Sequence, residues 1–324
     1  MNNITYLDTS GLNYLADNIK DFDLFRFWRE TLKIDFCISA VVIWEVLLNS
    51  NEKRRDYLIY WAQFNCSQYL LKSPTELFIS YLKSNCPKND KKDFWYNRET
   101  DLDIGNTWKK IHGDIEKTIP IDIESLKERT KPVRDMSKSL KSILDEMTNK
   151  DNDNYHDDTF HKAMLRAIKN LNRRNPINKE DETIIKLSLV YVLFFLCIGL
   201  ELDNTPIRMY WQDKEIEDPF ERLDWLIENL PEVVIRGPVI EMAKMAEAQF
   251  ITSNSKSRGL LHDCLHSVYC YYADNVITGD EHFKTLRDKE KHEVFKGIIM
   301  VDDFNKMWRL TTEEIKKKYS QPNV

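Results

Sequence analysis

Apolar and polar positions alternate in different ways along three parts of the chain. Near the start, ITYL (4–7) is a short β-rich run, followed by a helical stretch from Leu12 into the thirties. KIDFCIS (33–39) is a second apolar run, and Ser39 is placed to cap a helix carrying AVVIWEVLL. Ser73-Pro74-Thr75-Glu76 is a capping box with proline at the first helical position, which predicts a helix to about Lys83. From residue 86 the character changes. PKNDKKDFWYNRETD opens a stretch of helical patterns separated by polar loops, with few strand signals and an apolar segment around 184–200. From about residue 237 the earlier style returns. A helix from Pro238 to Phe250 is followed by a helix through LLHDCLHSVYCYY, a strand VIT (276–278), a helix over EHFKTLRDK and a final strand GIIMV (297–301).

Strands alternating with helices imply an α/β fold, a parallel sheet flanked by helices. The expected organisation is one discontinuous domain, residues 1–85 and 237–324, interrupted by a large all-helical insertion or cap at 86–236. Period-based inspection finds no internal repeat.

Composition narrows the class. Hydrophobic residues make up 42% and charged residues 31% of 324, values of a folded globular protein. With 8 Gly and 10 Pro, long helices and few tight turns are expected. Six cysteines without a CxxC pair suit a reducing compartment, and no signal peptide is visible, so a cytoplasmic location is expected. LSLVYVLFFLCIGL (187–200) is shorter than the ~20 residues of a membrane span and is bracketed by Lys186 and Glu201, so it reads as a buried helix. The net charge of −6 argues against a general nucleic-acid coat protein, though not against an enzyme with an acidic metal site.

In open parallel sheets, ligands sit at the carboxyl ends of the strands. That rule selects Asp8, directly after the first strand, and Asp280, just past VIT with Thr278 at the strand end. Glu45 is the only charged residue of AVVIWEVLL, and Asp263 is the only acid between Arg258 and Ala273. Converging carboxylates repel one another unless a cation neutralises them, and an oxygen-rich set suits Mg²⁺ or Mn²⁺. Each acid also has an ordinary reading. Asp280 could cap the next helix, Glu45 could face solvent, Asp263 could pair with Arg258 or His266, and Asp8 could begin a turn. Their order along strand ends and helix starts favours the joint reading.

YLDTSGLNYLAD, ISAVVIWEVLL and GLLHDCLHSVYCYYADNVITGDEHF together resemble the PIN-domain family of nucleases, over roughly the first 50 and last 70 residues. The resemblance implies a PIN-like fold and metal-dependent phosphodiester hydrolysis, most often of RNA, with single-stranded DNA as a further substrate. It assigns catalysis and metal binding to Asp8, Glu45, Asp263 and Asp280, with Asp274 as an extra metal ligand. Thr9, Ser10, Thr278 and His266 would support them. The long stretch between Glu45 and Asp263 departs from compact members and could roof the site or bind a regulatory protein, as in toxin–antitoxin or antiviral modules.

Two other classes compete. His262-Asp263 resembles the paired ligands of HD phosphohydrolases, with His112, His156 and His161 available, but that fold is all helical and leaves Asp8 and Thr278–Asp280 without a role. The chain could also be a non-catalytic PIN scaffold whose helical part binds a partner. KERTKPVRDMSKSLK (127–141) and RAIKNLNRRN (166–175) are basic on a helical pattern. They read either as solvated faces or, through Arg166, Lys169, Arg173 and Arg174, as a phosphate track for RNA. Oligomeric state leaves no mark in the sequence.

Overall fold

A computed structural model describes residues 3–67, 70–83, 159–174, 182–198, 205–231, 237–252, 260–289 and 293–319. The described residues within Met1–Leu71 and Tyr272–Val324 form one compact unit, and those within Lys72–Phe94 and Ile121–Tyr271 form another.

The first unit is α/β. Strands β1 (Asn3–Leu7) and β2 (Ile34–Cys37) are separated by helices α1 (Thr9–Asn18) and α2 (Phe22–Leu32), and followed by α3 (Ala40–Leu47) and α4 (Glu52–Asn65). The sheet is four-stranded and parallel in the order β2-β1-β3-β4, where β3 is Asn275–Thr278 and β4 is Ile298–Met300. Register runs Tyr6↔Cys37 across β1 and β2, Leu7↔Ile277 across β1 and β3, and Thr278↔Met300 across β3 and β4. Because all four strands run the same way, their carboxyl ends share one edge. Leu71 forms an isolated parallel bridge to Ser39 beyond the end of β2.

The expected helix from Leu12 into the thirties is two helices. Ile19 ends the first, and the Asp21 carboxylate accepts from Leu24 N–H at 2.9 Å to start the second. Ser39 stands at the N-cap of α3 without capping it through its side chain; its hydroxyl instead meets the Tyr6 hydroxyl at 2.9 Å. Val301 starts a 19-residue helix, Val301–Tyr319, where the sequence pattern placed the end of a strand. That C-terminal helix lays Phe304 and Trp308 against Phe25, Trp28 and Phe36, with ring centroids 5.1 Å apart for Trp28–Trp308 and 5.2 Å for Phe25–Phe36. Trp28 and Phe36 are fully buried, and the Trp28 indole N–H donates to the Thr311 hydroxyl at 2.7 Å. Each such ring pair contributes about 0.5–1.5 kcal/mol beyond the area it buries. Burial also pushes the Cys66 thiol up to about 12, although the Arg29 guanidinium pulls the other way.

The second unit is helical throughout its described residues. It comprises α5 (Pro74–Lys83), α6 (Thr159–Arg174), α7 (Glu182–Ile198), α8 (Thr205–Gln212), α9 (Pro219–Asn229), α10 (Gly237–Thr252) and α11 (Leu260–Ser267). The capping box at its start is present: Ser73 Oγ accepts from Glu76 N–H at 3.3 Å, and Glu76 Oε2 accepts from Ser73 N–H at 3.1 Å. Helix α7 carries the apolar run, with Leu187–Cys197 buried, and packs against α10, α9 and α6. Among the described residues no helix is long and apolar enough to cross a membrane. Gly237 begins α10 with φ +61°, and a side chain there would meet the Tyr81 ring at 2.6 Å. The two units divide after Leu71 and before Tyr272, whereas the sequence pattern suggested divisions at 85 and 237. Helices α5, α10 and α11 pack with the helical unit.

Candidate metal centre

Asp8 leaves β1 with an extended backbone (φ −75°, ψ 177°), the conformation an N-cap needs, and caps α1. Its side chain is 4% exposed. Oδ1 accepts from Gly11 N–H at 2.6 Å and from the Ser10 hydroxyl at 2.8 Å, while Oδ2 accepts from the Thr278 hydroxyl at 2.5 Å. Three donors on one carboxylate offset the hydration lost on burial.

The two hydroxyls also bind the neighbouring strand end. Ser10 Oγ accepts from Gly279 N–H at 2.7 Å, and Thr278 Oγ1 accepts from Asp280 N–H at 3.0 Å. Each therefore passes a hydrogen bond from the turn after β3 to Asp8. Thr-x-Asp after one strand and Asp-Thr-Ser after the adjacent strand form a single polar joint.

This joint demands close backbone approach. A Cβ on Gly11 would fall inside the contact distance of the Ile277 carbonyl oxygen and lie 3.2 Å from Asp8 Oδ1. Gly11→Ala should therefore destabilise the protein by about 1–3 kcal/mol, the range for overpacking a tight site. A thermal melt checks this. An unchanged midpoint would contradict the contact, since alanine is otherwise the better helix former.

Glu45 is the one half-buried position of α3, whose other residues are all buried. The Thr9 hydroxyl donates to its Oε2, tying α3 to the residue after Asp8. Asp280, half-buried, does cap the helix that follows, α12 (Glu281–Lys289), with Oδ1 accepting from His282 N–H at 2.6 Å. Its carboxylate and the His282 imidazole also offer ligand atoms within 4.8 Å of one another. Asp8, Glu45 and Asp280, with Thr9, Ser10 and Thr278, thus belong to the carboxyl edge of one sheet.

The remaining expected residues stand on other elements. Asp274 is a correction: it precedes β3, so the whole strand separates it from Asp280, and it stands at the amino edge. There its Oδ2 accepts from Ile4 N–H at 2.9 Å, and its own N–H donates to Ile4 O at 2.9 Å. It fastens the start of β1 and is no ligand of the carboxyl-edge site. Asp263 lies on α11 of the helical unit, half-buried beside Cys264, whose thiol is raised first by burial and then by the Asp263 charge. His266, on the same helix, is 3% exposed. Arg166, Lys169, Arg173 and Arg174 lie exposed on α6, with Arg166 in an ion pair with Asp224 at 2.6 Å. Burial raises the Asp224 carboxyl, and Arg166 partly reverses that. The basic run 127–141 and residues His112 and His156 lie outside the described residues.

His282 was not legible as a site residue. It sits in the polar run EHFKTLRDK, where a histidine breaks no periodicity. Its only sequence signal is its place two residues beyond Asp280, in the first turn after the Thr-x-Asp stretch.

Carboxylate oxygens, such as those at this sheet edge, are the donors that hard divalent cations take. Comparison with known proteins shows no matching family model, no matching curated protein and no matching solved structure.

Proposed function

We propose that the chain is a metal-dependent endonuclease of PIN type, hydrolysing phosphodiester bonds, with RNA as its expected substrate and single-stranded DNA as the lesser candidate. The observation carrying this reading is the buried Asp8, held by Ser10, Gly11 and Thr278 at the same sheet edge that carries Asp280 and Glu45. A buried carboxylate with this much support is an expensive feature for a simple turn.

Asp8, Glu45 and Asp280 would hold Mg²⁺ or Mn²⁺, and the sequence resemblance adds Asp263 to the proposed set. When bound, such an ion activates water and offsets charge on the phosphate oxygens. The chain's own residues do the positioning. Gly11 N–H, Ser10 and Thr278 fix the Asp8 carboxylate, Thr9 fixes Glu45, and the Asp280 cap fixes the turn after β3. Serine and threonine hydroxyls here are spent on orienting carboxylates, so the reading requires no side-chain nucleophile. The helical unit is the proposed place for a regulatory protein or for RNA guided by α6, in a toxin–antitoxin or antiviral setting within the cytoplasm.

The test is cleavage of labelled single-stranded RNA, tRNA and DNA by the purified chain with Mg²⁺, Mn²⁺ or chelator. The expected result is metal-dependent cutting that leaves 5′-phosphate and 3′-hydroxyl ends. Products ending in a cyclic phosphate would overturn the mechanism. Failure to cut any substrate, with no Mn²⁺ bound at equilibrium, would transfer the weight to a non-catalytic scaffold.

A further inference from the structure

We propose that His282 supplies a nitrogen ligand beside Asp280, and that this nitrogen makes the site favour Mn²⁺ over Mg²⁺. The inference rests on the carboxylate-held cation proposed above and deepens it by naming the ion.

The geometry permits a shared ion. Two donors each about 2.1 Å from one cation are at most about 4.2 Å apart. The Asp280 carboxylate and His282 imidazole have ligand atoms within 4.8 Å, so a side-chain adjustment of about half an ångström closes any shortfall. Nor is their approach a matter of two loose side chains. The Asp280 Oδ1 bond to His282 N–H fixes the backbone of both residues at the first turn of α12. Thr278 ties the same turn to Asp8 through the Asp280 N–H. The imidazole is therefore carried at the end of β3, on the edge that holds the other carboxylates, and is half-buried.

Chemistry then selects among cations. Mg²⁺ prefers oxygen ligands in a strict octahedron and gives up its waters reluctantly. Imidazole suits first-row transition ions, and carboxylates accept Mn²⁺ as readily as Mg²⁺. One imidazole among carboxylates thus raises Mn²⁺ affinity while adding little for Mg²⁺. Replacing His282 should change the ratio of the two affinities, which a purely structural role for the residue would leave alone.

The experiment loads the full-length chain with Mn²⁺ and measures equilibrium binding, competition by Mg²⁺ and pulsed electron-spin-echo modulation from nitrogen. Wild type should show ¹⁴N coupling that changes when histidine is labelled with ¹⁵N. His282→Gln should lose that coupling and bind Mn²⁺ at least about tenfold more weakly, the lower end of losses seen when support to a metal ligand is removed. His282→Asp should recover binding through oxygen and move preference toward Mg²⁺. Circular dichroism checks that both variants fold. Mn²⁺ bound in an Asp8-dependent way, without histidine nitrogen coupling, would overturn the His282 inference and leave the nuclease reading standing. Absence of Mn²⁺ binding to wild type would overturn both.

Discussion

Asp8→Asn should lower metal-dependent cleavage by at least ~100-fold while the protein stays folded. Loss of even an outer partner of a metal ligand costs up to about 100-fold, and Asp8 is proposed to touch the ion itself. The expectation of an intact fold follows from the cap. Asparagine caps helices about as well as aspartate, so the bond from Gly11 N–H survives. What the amide loses is an acceptor for one of the two hydroxyls, Ser10 or Thr278, that now share the carboxylate. Asp8→Ala removes the cap as well and should cost a further ~1 kcal/mol. Activity and melting temperature measured on both variants separate the roles. Full cleavage by folded Asp8→Asn would sink the assignment of Asp8 to catalysis.

Trp28→Ala should cost about 3–5 kcal/mol, the range for removing a large buried aromatic side chain. Trp28 is fully buried and touches Phe25, Phe36, Phe304 and Trp308. Its loss opens a cavity between α2, the sheet and the C-terminal helix, and leaves the Thr311 hydroxyl without the indole donor. Trp28→Phe keeps most of the volume and should cost less. Urea unfolding followed by near-ultraviolet circular dichroism reports the packing of these rings. A loss under 1 kcal/mol for the alanine variant would show that the C-terminal helix is not clamped by this cluster. The expected loss of about 3–5 kcal/mol would consume a large share of a typical stability of about 5–15 kcal/mol.

The carboxyl-edge acids were legible because three signals agreed. An apolar run predicts a strand, the next helical pattern predicts its direction of exit, and an acid between them must lie near the edge. Asp8 and Asp280 satisfy all three, and Glu45 was legible as the one charge in an apolar helix. The Ser73–Glu76 box was legible because its chemistry is local. Asp274 misled because it lies in the same short stretch as Asp280; four strand residues place it at the other edge, and nearness in sequence conceals that. The C-terminal helix was hidden because IIMV continues the β-branched and apolar run past the last ladder pair at Met300. Helix α4 has apolar residues scattered around its circumference, so periodicity gave little signal. His282 and the packing of α11 with the helical unit depend on tertiary arrangement, which residue patterns do not encode at this range.

The discontinuous sheet also has a temporal consequence. Thr278 meets Asp8 across 270 residues of chain, and β1 lies between β2 and β3 in the sheet. At a synthesis rate of about 5–20 residues per second, roughly 15–50 seconds pass on the ribosome between the emergence of Asp8 and that of its threonine partner. During that interval β1 has only β2 beside it, and the helical unit is made in full before the central strand gains its second neighbour. The joint between Asp8 and Thr278 is therefore completed only after the helical unit has been made.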